Sequence, residues 1–203
     1  MSLFVAPKFL SMPAVGLDIS ADAVRFIELE ERGGKLEVSR HASRNFPLSV
    51  AGTDRMQDHK RLQDVIAALA YEYKLTFANV SLPEEQAYLA NIRIPRVPLS
   101  EVHDTIELSL EEHVPISGAE AMFDFTVIGE GSTQKKESMD VVVSVLPKTA
   151  VEGYLEIFHG TGVVPKAFEF ESQAMARAII PRGDNGTFLV VDIGKMVTDM
   201  FVA

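Results

Sequence analysis

The chain has 203 residues, 47% of them hydrophobic and 24% charged, the balance of an ordinary folded protein of one or two domains. Its net charge of −10 argues against a nucleic-acid role, because phosphate backbones call for a basic face, and the acidity reads as solubility. With no cysteine, disulfides, thiolate zinc sites and cysteine nucleophiles are excluded, which fits a reducing compartment.

Residues 1–13 read as an N-terminal arm. Its apolar part, Leu3 to Leu10, is too short for a signal sequence and is interrupted by Pro7, so the expectation is an arm that frays or packs on its own domain. No apolar run reaches the roughly 18 residues that a membrane span needs. Val15–Ile19 reads as a buried strand and Val24–Glu30 as a second. Gly33 and Gly34 make a hairpin turn into a third, Leu36–Phe46. A loop over 47–53 leads to an amphipathic helix with Leu62, Val65, Ile66, Leu69 and Tyr73 at helical spacing. Phe77–Leu82 is a strand again, completing β-β-β-α-β.

The middle of the chain has a different texture. Tyr88–Ile94 alternates as a strand does, and Pro95 and Pro98 break it. Ser100 is the expected cap of a helix running to about His113. Phe123–Ile128 and Met139–Leu146 read as strands joined by a polar turn over 129–137. Pro147 opens a helix bearing Val151, Tyr154, Leu155 and Phe158, stopped by Gly160 and Gly162. Residues 87–161 thus read β-α-β-β-α, an inserted α+β module. Val163–Phe170 is then a strand, Ser172–Ile180 a helix and Thr187–Val191 a strand leading to Asp192. The chain stops at Ala203 inside an expected strand, so a fragment of a longer protein is expected.

Two strand–Asp–turn–strand units, around Asp18 and Asp192, carry the chemistry. A tight turn after a strand points backbone N–H groups into one concavity, which suits phosphate, and glycine there allows close approach. An aspartate at the strand end can hold Mg²⁺ through water. The second unit supplies Asp192, Gly194, Lys195 and Thr198. The first supplies Asp18, Ser20, Ala21, Asp22 and Arg25. It is the poorer loop: Ser20 stands where glycine is expected, Ala21 and Ala23 offer no hydroxyl, and Asp22 would face phosphate with a negative charge. Arg25 and Lys195 offset that charge if they point inward. The plain alternative is a β-hairpin with no ligand.

Glu107, Glu111 and Glu112 share a helix with His103 and His113, and they read as a solvated face rather than a metal site. His41, His59 and His159 are scattered, with no nucleophile elbow or Walker-type loop in the chain.

The order of these segments resembles the actin-like ATPase superfamily and, within it, the type IV pilus assembly PilM family, relatives of the division protein FtsA. The resemblance is carried by Val15 to Leu29, by Ile106 to Ile116 with Asp124 and Phe125, by Val141 to Lys148 and Tyr154 to Ile157. Gly162 to Pro165, Glu171 to Ala178, and Val191 to Gly194 with Thr198 follow in order. It covers most of the chain.

The resemblance implies an α/β, ribonuclease H-like actin fold. Subdomain 1A would span 14–86 and 162–203, a five-stranded sheet with helices. An inserted subdomain 1C would span 87–161, and subdomains 2A and 2B would be missing. It implies a cytoplasmic scaffold, peripheral at the inner membrane, that binds the N-terminal tail of a bitopic partner, PilN, in a groove between 1A and 1C, with self-association also open. ATP and Mg²⁺ are implied at Asp18, Ser20, Ala21, Asp22, Arg25, Asp192, Gly194, Lys195 and Thr198, with Asp18 and Asp192 holding the metal through water and hydrolysis weak at most. The departures at Ser20, Ala21, Asp22 and Ala23 weaken that implication, more for catalysis than for binding. Three alternatives stay open: an FtsA-like division protein, the cytoplasmic domain of a type II secretion protein, and an active actin-fold ATPase.

Overall fold

The computed structural model of the chain describes residues 13–20, 23–45, 55–83, 87–128, 137–184, 186–194 and 198–203. All but the last residue of the expected arm, the loop over 47–53 and all but the last residue of the polar turn over 129–137 lie outside them. Two compact units form, one from Met1–Pro83 with Leu155–Ala203 and one from Glu84–Tyr154.

The first unit is built on a five-stranded sheet of order β3-β2-β1-β4-β8. Its strands are β1 (Val15–Ile19), β2 (Ala23–Arg32), β3 (Lys35–Asn45), β4 (Phe77–Leu82) and β8 (Val164–Phe170). Strands β1, β2 and β3 form an antiparallel meander, turned at Gly33 and Gly34, whose φ values of 59° and 79° are the pair that a primed two-residue turn demands. Strands β1, β4 and β8 run parallel, so their carboxyl ends share one edge of the sheet. Helix α1 (Arg55–Tyr73) has the expected apolar stripe: Leu62, Ile66 and Leu69 are buried. At its end Tyr73 meets Phe26 of β2 edge-on, with ring centroids 4.9 Å apart. Burial alternates along β1, where Val15, Leu17 and Ile19 point into the core and leave Asp18 on the other face.

Helix α4 (Glu171–Ile179) follows β8 directly. Strands β9 (Leu189–Ile193) and β10 (Thr198–Val202) pair with each other as a separate two-stranded sheet and do not join the five. Strand β9 runs to Ile193, two residues beyond the expected strand end at Val191, and so includes Asp192.

The second unit is a three-stranded antiparallel sheet of order β5-β7-β6, formed by β5 (Tyr88–Pro95), β6 (Ala121–Ile128) and β7 (Ser138–Pro147). Helix α2 (Leu99–Ser109) packs on one face, burying Val102 and Ile106 with Val141, Val143 and Val145 of β7. Three local expectations are corrected here. The cap of α2 is Pro98, not Ser100, with no side-chain hydrogen bond; the fixed φ of proline sets the entry instead. The helix also stops earlier, at Ser109, and continues as a single 3-10 turn over Leu110–Glu112. Likewise Pro147 ends β7 rather than opening helix α3 (Lys148–Phe158). Gly160, at φ 75°, supplies the left-handed residue that terminates α3.

Candidate functional site

The antiparallel register of β1 and β2 places Arg25 directly opposite Asp18. Arg25 Nη1 donates to Asp18 Oδ2 at 3.2 Å and to Ser20 Oγ at 2.7 Å. Ser20 closes the turn twice, its backbone N–H donating to the Ala23 carbonyl at 3.0 Å and its hydroxyl to the same oxygen at 3.1 Å. The backbone freedom of glycine is not required at position 20: among the described residues the non-glycine with a positive φ is Lys74. Ala21, Asp22 and Lys195 lie outside the described residues.

At the same carboxyl edge of the sheet, β8 ends at Phe170 and Glu171 starts α4. Glu171 is half-buried, and its carboxyl group is pushed up to about 7. Desolvation is the main cause, followed by the charges of Asp18, Asp199 and Asp192 and a hydrogen bond with Asp18. Four acidic side chains from β1, α4, β9 and β10 therefore share one electrostatic neighbourhood. Asp199 belongs there because it is the cross-strand partner of Asp192 in the β9–β10 ladder.

The structure thus brings Asp18, Ser20 and Arg25 together, and relates Asp192 to Asp18 through Glu171. Thr198 is not part of the group. It pairs with Ile193, one residue out of phase with Asp192 and Asp199, so its side chain takes the exposed face of the ribbon. Gly194 is exposed beyond the end of β9. Glu171 and Asp199 were not singled out from sequence. One signal pointed to each: Glu171 immediately follows a parallel strand, where α/β sheets place their ligand residues, and Asp199 lies in the run paired with Asp192.

The donor set suits a hard cation in type, being all oxygen, but not in state. Asp18 is already ion-paired to Arg25, and burial pushes the Glu171 carboxyl group up to about 7. As arranged, Asp18 does not fit the role of a carboxylate turned toward a hydrated Mg²⁺. In the second unit, ligand atoms of His103, Asp104 and Glu107 lie within 4.8 Å of one another. All three are exposed, and the His103 imidazole stacks on Phe123 with centroids 4.5 Å apart, consistent with the solvated face read from sequence.

Among the described residues no helix is long and apolar enough to cross a membrane. Comparison with solved structures finds a PilM–PilN type IV pilus biogenesis complex, with a TM-score of 0.80 and 26% identity over 94% of this chain. The chain spans 57% of the length of the matched chain of that complex. The cytoplasmic domain of EpsL, an inner-membrane component of the type II secretion system of Vibrio cholerae, matches at a TM-score of 0.55 and 15% identity, over 86% of this chain and 62% of that one; at this identity it shows a shared fold alone. The family described as type IV pilus assembly protein PilM matches residues 16–203. The chain belongs to the PilM family of type IV pilus assembly proteins.

Proposed function

We propose that the chain is part of a cytoplasmic type IV pilus assembly scaffold that binds the N-terminal tail of a PilN-type inner-membrane protein. The observation that carries this reading is the likeness to the PilM–PilN complex, where family, fold and a quarter of the residues agree over nearly the whole chain. In this reading the five-stranded unit is an actin-type subdomain 1A, the three-stranded unit an inserted subdomain 1C, and subdomains 2A and 2B belong to the remaining length of a PilM protein. The protein is peripheral at the inner membrane through its partner. Nucleotide is held weakly, and turnover is not part of the role, because the first hairpin has its carboxylate engaged and no hydroxyl at Ala23.

The test is a fluorescence-anisotropy titration of the chain, and of the complete parent protein, with a labelled peptide of the cytoplasmic N-terminal tail of the PilN-type protein from the same organism. Saturable binding near 1 μM, about −8 kcal/mol, is expected, with no binding of a scrambled peptide. Equal affinity for the scrambled peptide, or no binding at about 100 μM, overturns the scaffold reading.

A further inference from the structure

The contacts of Ser20 go beyond what a turn requires. Its hydroxyl donates its proton to the Ala23 carbonyl and accepts from Arg25 Nη1 at 2.7 Å, so the donor and an acceptor position are both used. The same Nη1 reaches Asp18 Oδ2 at 3.2 Å. A glycine at position 20 offers neither contact, and an alanine keeps the backbone bond but loses both. Asp18 and Arg25 side chains are 37% and 46% exposed, so solvent ions can reach the pair.

We propose that Ser20 holds Arg25 in place as the resident counter-cation of Asp18, closing the first hairpin to a hydrated divalent cation, so that an anionic ligand arriving there meets a guanidinium instead of a metal. The inference rests on Asp18, Ser20 and Arg25 alone and stands or falls independently of the partner reading. Physically, a hexahydrated Mg²⁺ needs a carboxylate oxygen to accept from its water, and a guanidinium against Asp18 Oδ2 competes for that oxygen and repels the dication.

The probe is Mn²⁺ alone, titrated into the protein while free ion is followed by electron paramagnetic resonance. Weak sites on so acidic a surface are removed by repeating each titration in an Asp18→Asn background. For the unaltered chain, Asp18→Asn should change nothing. Arg25→Gln and Ser20→Gly should each gain a site at least tenfold tighter, abolished by Asp18→Asn. Ser20→Thr, which keeps the hydroxyl, and Arg25→Lys, which keeps the charge, should behave as the unaltered chain does. An Asp18-dependent site already present in the unaltered chain overturns the proposal. So does the absence of a gain in Arg25→Gln, an exposed substitution whose folding is checked by circular dichroism. A gain in Arg25→Gln without one in Ser20→Gly or Ser20→Ala removes Ser20 from the account.

Discussion

Glu171 lies within the electrostatic reach of Asp18 at the carboxyl edge where β1 and β8 end, one carboxyl group beside another. Burial and that neighbouring charge raise the Glu171 carboxyl group to about 7. Its place in the first turn of α4 would favour the ionised form by about 0.3–1 kcal/mol. Desolvation, together with the charges of Asp18, Asp199 and Asp192, outweighs that dipole.

The pair makes stability depend on pH. Folded Glu171 titrates near 7, against 4.5 for the ordinary group, so between those values the folded state binds more protons than the unfolded one. Its contribution is complete below about pH 4.5 and is lost as pH rises through 7. Glu171→Gln removes this dependence. Urea midpoints at pH 5 and pH 8 should show the variant gaining on the parent by about 1 kcal/mol as pH rises, a figure discounted for the half-solvated site. Parallel pH profiles would contradict the protonated state assigned to Glu171.

Lys74 sits at φ 54°, one residue past α1, where its Cβ crowds the backbone. Leu75 N–H caps the helix on the Ala70 carbonyl at 3.1 Å. Lys74→Gly should stabilise by about 0.5–1 kcal/mol, since relief of left-handed strain exceeds the extra entropy of an unfolded glycine. Lys74→Ala, which keeps the Cβ, should gain nothing. Thermal melts of the two variants decide it.

Thr161 is a buried hydroxyl with two partners: it donates to the Phe158 carbonyl at 2.8 Å and accepts from the Val163 N–H at 3.2 Å. Thr161→Val keeps the shape and strands the Val163 donor. A loss of about 1–3 kcal/mol in urea unfolding is expected, with Thr161→Ser recovering most of it. Equal losses in both variants would point to packing rather than to the hydrogen bonds.

Ile106 and Leu108 stand two residues apart on α2 with opposite fates, fully buried and 88% exposed. Ile106→Ala should cost about 2–5 kcal/mol through lost burial and the cavity left against β7. Leu108→Ala should stay within about 0.5 kcal/mol of the parent. Chemical denaturation of the two variants measures the contrast.

Most elements were legible because their periods are local. Leu62, Ile66 and Leu69 repeat at the helical spacing, and Val15, Leu17 and Ile19 at the strand spacing, so burial on one face is written into the order of residues. The Gly33–Gly34 turn was equally local. What misled was proline. Ser100 is the expected cap of α2 and Pro147 the expected start of α3, whereas Pro98 caps α2 and Pro147 ends β7, because a fixed φ suits several neighbouring positions and the sheet pairing chooses among them.

By itself the sequence determined the alternation of elements, the family, and the two aspartates that head their hairpins. Only the tertiary structure decided what surrounds those aspartates. Strand register set Arg25 opposite Asp18 and Asp199 opposite Asp192. The parallel run of β1, β4 and β8 brought Glu171, more than 150 residues along the chain, to the same edge. The reason is physical: hydrophobic periodicity is a property of neighbours in sequence, but the charge state of a carboxyl group depends on neighbours in space, which pairing and packing alone assign.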